Sequence, residues 1–144
     1  MGLDLSTSQI TKNRDHYGDK MEFVAMDAAS WISDCRAQGV VFLTNGGVFE
    51  CLIPGQVRQI IELARDRLAP VAFALVENIA SNHDITIDRE SRVYGREFSF
   101  SHNYRYLFQA AGYRIRFLHE YTANGERWIN MLAEFPRDSK KSAS

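Results

Sequence analysis

Four histidines are the residues best suited to proton transfer near neutral pH or to metal ligation: His16, His83, His102 and His119. Asn82-His83-Asp84 and Leu118-His119-Glu120 each place an imidazole beside a carboxylate. Neighbours on a strand point to opposite faces, so His119 and Glu120 do not readily form one site. His83, in a turn, serves equally well as a loop residue or a helix-end cap. A metal centre needs such side chains clustered at ligand spacing. Neither that pattern nor a C-x-x-C pair occurs, so no metal is expected. There is no G-x-S-x-G, no phosphate-binding loop and no G-x-G-x-x-G, so no cofactor is expected either. A small enzyme built on a His/carboxylate site therefore requires that at least two of His83, His102 and His119 converge, on each other or on a carboxylate.

A second constellation lies in SHNYRYLFQAAGYRIRF, residues 101–117, where Arg105, Arg114 and Arg116 alternate with Tyr104, Tyr106, Tyr113 and Phe117. Guanidinium groups among stacking rings can hold single-stranded nucleic acid. The opposing reading is a solvated face over an ordinary core, balanced by Glu97, Glu120, Glu126 and Glu134. Charge favours the latter. Residues 1–80 carry 7 Lys+Arg and 10 Asp+Glu, net −3; residues 81–144 carry 10 and 8, net +2; the sum is the chain's −1. Nucleic-acid binding through Arg105, Arg114, Arg116 and Tyr104 is kept as an alternative.

The elements that must position these groups follow from periodicity. Asp27 can N-cap a helix in which Ala28, Trp31, Ile32 and Cys35 share one face, ending at Gly39. Val57, Ile60, Ile61, Ala64 and Leu68 form the apolar stripe of another. Pro70 should open a further helix running to about Ala80, apolar nearly all round. Ile85–Ile87 suggests a short strand, and residues 92–101 an alternating one. His102–Gly112 reads as a helix. Residues 113–121 and 127–135 read as strands joined at Asn124-Gly125, a strong hairpin signal. Residues 1–20 are polar and are expected to form a flexible arm, and 137–144 a disordered tail. The expected domains are thus an arm at 1–20, an α-ββ-αα subdomain at 21–80, an antiparallel β-rich subdomain with one helix at 81–136, and the tail. The fold class is α+β: helix, β-hairpin, two helices, then a β(β)αββ antiparallel half, packed as one unit. At 144 residues and 45% hydrophobic, the chain can bury a core of one ordinary domain. Cys35 and Cys51 fall in apolar patterns, and no signal peptide or membrane-spanning run is present, which points to a reduced, cytoplasmic protein with no membrane association.

VVFLTNGGVFECLIPG, residues 40–55, raises a question of covering. Folded back at Asn45-Gly46, it becomes a hairpin with Val40, Phe42, Thr44, Phe49, Cys51 and Ile53 on one face and Val41, Leu43, Val48, Glu50 and Leu52 on the other. Both faces are oily. Either the rest of the chain covers them, or one is a docking surface for another protein or a second copy. The order helix, Gly, hairpin, two helices over about 27–76, with AQGVVF and VRQIIELARDRL, resembles the TubC-type docking domains at the front of nonribosomal peptide synthetase and polyketide synthase subunits. Two departures stand out: no basic residue lies between Val40 and Ile53, and Pro54-Gly55 makes the following connection short. The resemblance implies a small non-enzymatic accessory, inhibitor or regulatory protein, of the kind found in bacteria and their mobile elements. It would bind a partner through Phe42, Thr44, Phe49, Val41 and Leu43.

Overall fold

A computed structural model describes residues 1–95 and 99–136. Its chain is mixed α+β, as expected, and divides into two units, Met1–Arg36 and the residues from Ala37 onward.

The first unit is strand-helix-strand-helix: β1 (Gly2–Asp4), α1 (Thr7–Tyr17), β2 (Phe23–Ala25) and α2 (Ala28–Asp34). Strands β1 and β2 pair in parallel, with Asp4 opposite Ala25. The side chain of Ser6 caps α1 by accepting from the Gln9 N–H, and Asp27 caps α2 by accepting from Ser30, as the sequence predicted. The expected loose arm at 1–20 is instead a strand and a helix. Its polarity concealed it: Ile10 is the one buried residue of α1, so the helical stripe is too thin to show as a period. Helix α2 ends at Asp34, short of Gly39.

The second unit is built on a four-stranded sheet in the order β3-β4-β8-β7. Strand β3 (Val40–Leu43) runs parallel to β4 (Val71–Ile79), and α3 (Pro54–Leu68) makes the crossover between them. Strand β8 (Glu126–Phe135) is antiparallel to β4 and to the edge strand β7 (Arg114–Ala123). Between β4 and β7 lie a short pair, β5 (Arg92–Tyr94) and β6 (Ser99–Ser101), and helix α4 (Tyr104–Ala110). The β7–β8 hairpin turns at Asn124-Gly125, both with positive φ (53° and 79°), as the sequence signalled. The alternating strand expected across 92–101 is two strands; Arg96, Glu97 and Phe98 lie outside the described residues, as does the 137–144 tail. Ile85–Ile87 is turn rather than strand, with Ile85 buried.

Two expectations fail here for one reason. The segment 40–53 is no hairpin, because β3 takes β4 as its parallel partner and Phe49–Cys51 coils into a 3-10 turn. The helix expected after Pro70 is β4 itself, in which Val71, Phe73, Leu75, Glu77 and Ile79 are buried while the residues between them are half-buried. A strand covered on both sides reads as a continuous apolar run, which periodicity cannot distinguish from a buried helix. Pro54 opens α3 at its first turn. The stripe Val57, Ile60, Ile61, Ala64 and Leu68 is buried as predicted. Phe73 is the hub of the core. Its ring stacks on Phe42 at 4.7 Å and meets Phe108 and Tyr113 edge-on at 5.0 and 5.8 Å. Burying one such ring stabilises the fold by about 1.5–3 kcal/mol.

Candidate functional site

In sheets containing parallel strands, ligands bind beyond the carboxyl ends of those strands. Beyond β3 the chain runs Thr44-Asn45-Gly46-Gly47, and β4 carries Glu77 and Asn78 just before its last residue, Ile79. Gly46 and Gly47 both adopt positive φ (72° and 80°). A side chain is strained at each: a Cβ on Gly46 would lie 3.2 Å from the Trp128 ring, and one on Gly47 would lie 3.0 Å from Glu50 Oε1. The glycines thus bring the backbone under Trp128 and carry Glu50 back over the end of the sheet.

Glu77 is fully buried. Its Oε2 accepts the Phe49 N–H at 3.2 Å, capping the 3-10 turn, while Oε1 has no hydrogen-bond partner. Desolvation pushes its carboxyl above the usual carboxylate range. The Thr44 hydroxyl and the backbone N–H groups of Phe49 and Glu50 work the other way, and the charge of Glu50 adds to the rise. Thr44 Oγ1 lies close enough to favour the ionised Glu77, yet it too lacks a hydrogen bond of normal geometry. Tyr104 is fully buried with an unpartnered hydroxyl, its pKa raised first by burial and then by the charge of Glu77. The Tyr94 hydroxyl donates to Glu50 Oε2. Burial, Glu50 and Glu126 raise the Tyr94 pKa, and the nearby Asn78 side chain lowers it. Asn78 Oδ1 is again unpartnered. Unpaired buried polar atoms are rare in folded proteins and costly. Here those of Thr44, Glu77, Asn78 and Tyr104 gather at one end of the sheet.

The first unit has its own carboxyl end. Asp4 closes β1, and Asp27 follows β2 by two residues. Asp4 Oδ1 accepts the Ser6 N–H at 2.8 Å, and Asp27 Oδ1 accepts the Ser30 N–H at 2.9 Å. Its hydrogen bonds to Ser30 hold the Asp27 carboxyl below the usual range. Each carboxylate keeps a second oxygen able to accept from hydroxyl or amino groups.

The sequence-predicted residues fare unevenly. Of the five assigned to docking, Phe42 is stacked in the core, Thr44 and Phe49 are buried, and only Val41 and Leu43 are exposed, on the other face of the sheet. They do not form one surface. Of the nucleic-acid set, Tyr104 is fully buried and cannot stack on a base, Arg105 is exposed, and Arg114 and Arg116 converge on Glu134 at 3.2 and 2.6 Å. His83 and His102 are buried and near each other, whereas His119 is exposed and stacks on Tyr121 at 6.0 Å. Neither buried imidazole is hydrogen-bonded to a carboxylate side chain. His83 Nδ1 meets Ser101 Oγ at 2.8 Å, and His102 Nδ1 meets Ser91 Oγ at 2.8 Å. His102 Nε2 faces the carbonyls of Phe49 and Leu52, both at 3.1 Å, so it carries the proton in the neutral ring. These histidines clamp loops. Among the described residues, no three His, Cys, Asp or Glu gather to hold a metal ion, and no helix is long and apolar enough to cross a membrane. Sequence reasoning missed Glu77, Tyr94, Asn78, Asp4 and Trp128. The signal for Glu77 was present: it is the one charge in VAFALVENI.

No known protein family and no curated protein matches the chain by sequence. Solved structures do match. Magnesium protoporphyrin IX methyltransferase (ChlM) from Synechocystis PCC 6803, with bound SAM, superposes with a TM-score of 0.60 at 11% identity, over 93% of this chain and 58% of that one. The N-methyltransferase NodS from Bradyrhizobium japonicum WM9 gives 0.53 at 16% identity, over 93% and 71%. PH0226 protein from Pyrococcus horikoshii OT3 gives 0.54 at 16% identity, over 92% and 69%. The chain thus spans less than two thirds of the length of ChlM, the first of these. At such identities the likeness is one of fold. It corrects the TubC-type resemblance, because the stretch 27–76 belongs to a fold shared across nearly the whole chain with methyltransferase structures. The non-enzymatic accessory, inhibitor or regulatory role inferred from that resemblance is withdrawn with it.

Proposed function

We propose that this chain takes part in methyl transfer from S-adenosylmethionine (SAM). The observation that carries this reading is the parallel β1–β2 pair with the carboxylates of Asp4 and Asp27 at its carboxyl end. An adenosine presents a ribose diol and an exocyclic amine, all donors, and an acidic residue beyond a parallel strand is suited to accept from them. The residues therefore fit the nucleoside end of the cofactor. Its amino-acid end is assigned no partner among the described residues, and the glycine-rich G-x-G-x-x-G is not part of this sequence. When bound, SAM supplies an electrophilic methyl group. The chain's own contribution is proposed to be nucleoside binding by Asp4 and Asp27 in the first unit. The fold likeness to structures described as methyltransferases supports this reading.

Calorimetric titration of the purified chain with SAM and its demethylated product tests it. Both should bind, and Asp4→Asn and Asp27→Asn should each weaken binding by about tenfold, the loss of one charge-assisted hydrogen bond. No heat of binding at millimolar ligand, with the fold intact by circular dichroism, would overturn the proposal.

A further inference from the structure

The end of the four-stranded sheet is acidic, and among the described residues no cation is paired with Glu50 or Glu77. Glu50 is half-buried and Glu77 fully so, and the charges that weigh most on Tyr94 and Tyr104 are all negative: Glu50, Glu126 and Glu77. The neighbouring cations are engaged elsewhere. Arg127 pairs with Glu120 and donates to the carbonyls of Ala80 and His83, and Arg92 pairs with Asp88. Carboxylates removed from water are ordinarily paired with a cation or hydrogen-bonded at both oxygens. Independently of the charge, the Tyr104 hydroxyl is more than nine-tenths buried near Glu77 and has no hydrogen-bond partner. Two aromatic residues complete the surroundings: Trp128, whose ring edge approaches Gly46, and Tyr94, whose hydroxyl donates to Glu50. Carboxylates with aromatic faces are a surface for an organic ammonium, which gains both charge pairing and cation–π attraction.

We infer that the carboxyl end of β3 and β4 binds an organic amine in its ammonium form, held by Glu50 and Asn78 against Tyr94 and Trp128. As an amine-binding site this stands on the geometry of the second unit alone. As the class of methyl acceptor it rests on the function proposed above, and it makes that acceptor nitrogen rather than oxygen or carbon.

The test uses benzylamine, benzyl alcohol and benzoate, equal in ring size and different in charge, titrated calorimetrically into the whole chain with and without SAM. Benzylamine should bind at least tenfold more tightly than benzyl alcohol, and benzoate should not bind. Glu50→Gln should cut benzylamine affinity about tenfold or more and leave benzyl alcohol unchanged. The ranking of the three probes on the unaltered protein decides the matter even if that variant does not fold. Equal affinity for benzylamine and benzyl alcohol, or preference for benzoate, overturns the inference. If SAM binds and benzylamine does not, the amine site fails while the cofactor reading stands. If benzylamine binds and SAM does not, the site is upheld and its role as acceptor is lost.

Discussion

Glu77→Gln should make the protein more stable at pH 8, and the gain should vanish on acidification. The argument begins with the sign. Burial raises the folded-state pKa of Glu77 above its ordinary value of 4.5. The contribution of this group is therefore most favourable below pH 4.5, where it is protonated in both states, and is lost as pH rises through the folded-state pKa. At pH 8 the folded chain either holds an unpaired buried carboxylate or must protonate it. Glutamine keeps the oxygen that accepts from Phe49 N–H and removes the charge. An unsatisfied buried polar group costs about 1–3 kcal/mol, and a charged one more. A gain of about 1–3 kcal/mol at pH 8 is therefore expected, shrinking to within about 0.5 kcal/mol near pH 4. Urea unfolding of both proteins at several pH values measures it. Taking the variant-minus-wild-type difference cancels the histidines and the surface carboxylates, whose titration both proteins share. A destabilised variant at pH 8, or a difference that does not move with pH, would refute the premise that Glu77 is an uncompensated charge. A residue that lowers stability without supporting the core is the kind retained for binding or chemistry.

Two further outcomes follow from the same end of the sheet. Gly46→Ala should cost about 1–3 kcal/mol in urea unfolding, because a side chain there is strained at a φ of 72° and presses on Trp128 at 3.2 Å; a cost under about 0.5 kcal/mol would contradict the close approach. Burial lowers the pKa of both His83 and His102 below 6.5, so the stability they contribute is complete above that value and is lost as pH falls through their folded-state pKa values. His102→Gln should therefore be less stable than wild type at pH 8, by about 1–3 kcal/mol for its broken hydrogen bonds, and show a shallower loss of stability between pH 7 and 5 in the same assay.

How much of this was legible in the sequence depends on what each element buries. Helix α3 could be read from Val57, Ile60, Ile61, Ala64 and Leu68 because one side faces water and the period survives. The β7–β8 turn could be read because Asn124-Gly125 is local chemistry, settled by four residues. Strand β4 could not, because Ala72, Ala74 and Val76 are apolar on the face that should have looked polar. Once β4 was taken for a helix, β3 had no strand to pair with except its own continuation, and Asn45-Gly46-Gly47 supplied a plausible turn. A parallel pair leaves no local mark: Val40 meets Val71 across a crossover that runs from residue 44 to residue 70, and only the tertiary fold brings them together.

The candidate site was hidden by the same mistake, and for a physical reason. In a helix, Glu77 would have been one polar residue on a turn of apolar ones. In a strand it follows Phe73 and Leu75 on the same buried face and cannot reach water. The local pattern asks for an apolar residue at that position, and the chain places a carboxylate there, one turn of pleat before the strand ends. Local consistency is the rule in folded sequences, and departures from it concentrate at functional sites. Glu77 has an unfilled oxygen, a raised pKa and Thr44, Tyr104 and Glu50 as its neighbours, and it lies near the carboxyl end of β4, the end of parallel strands beyond which ligands bind. The conflict between residue and position is thus itself the strongest pointer in the second unit. It could be seen only once 71–79 was known to be a strand.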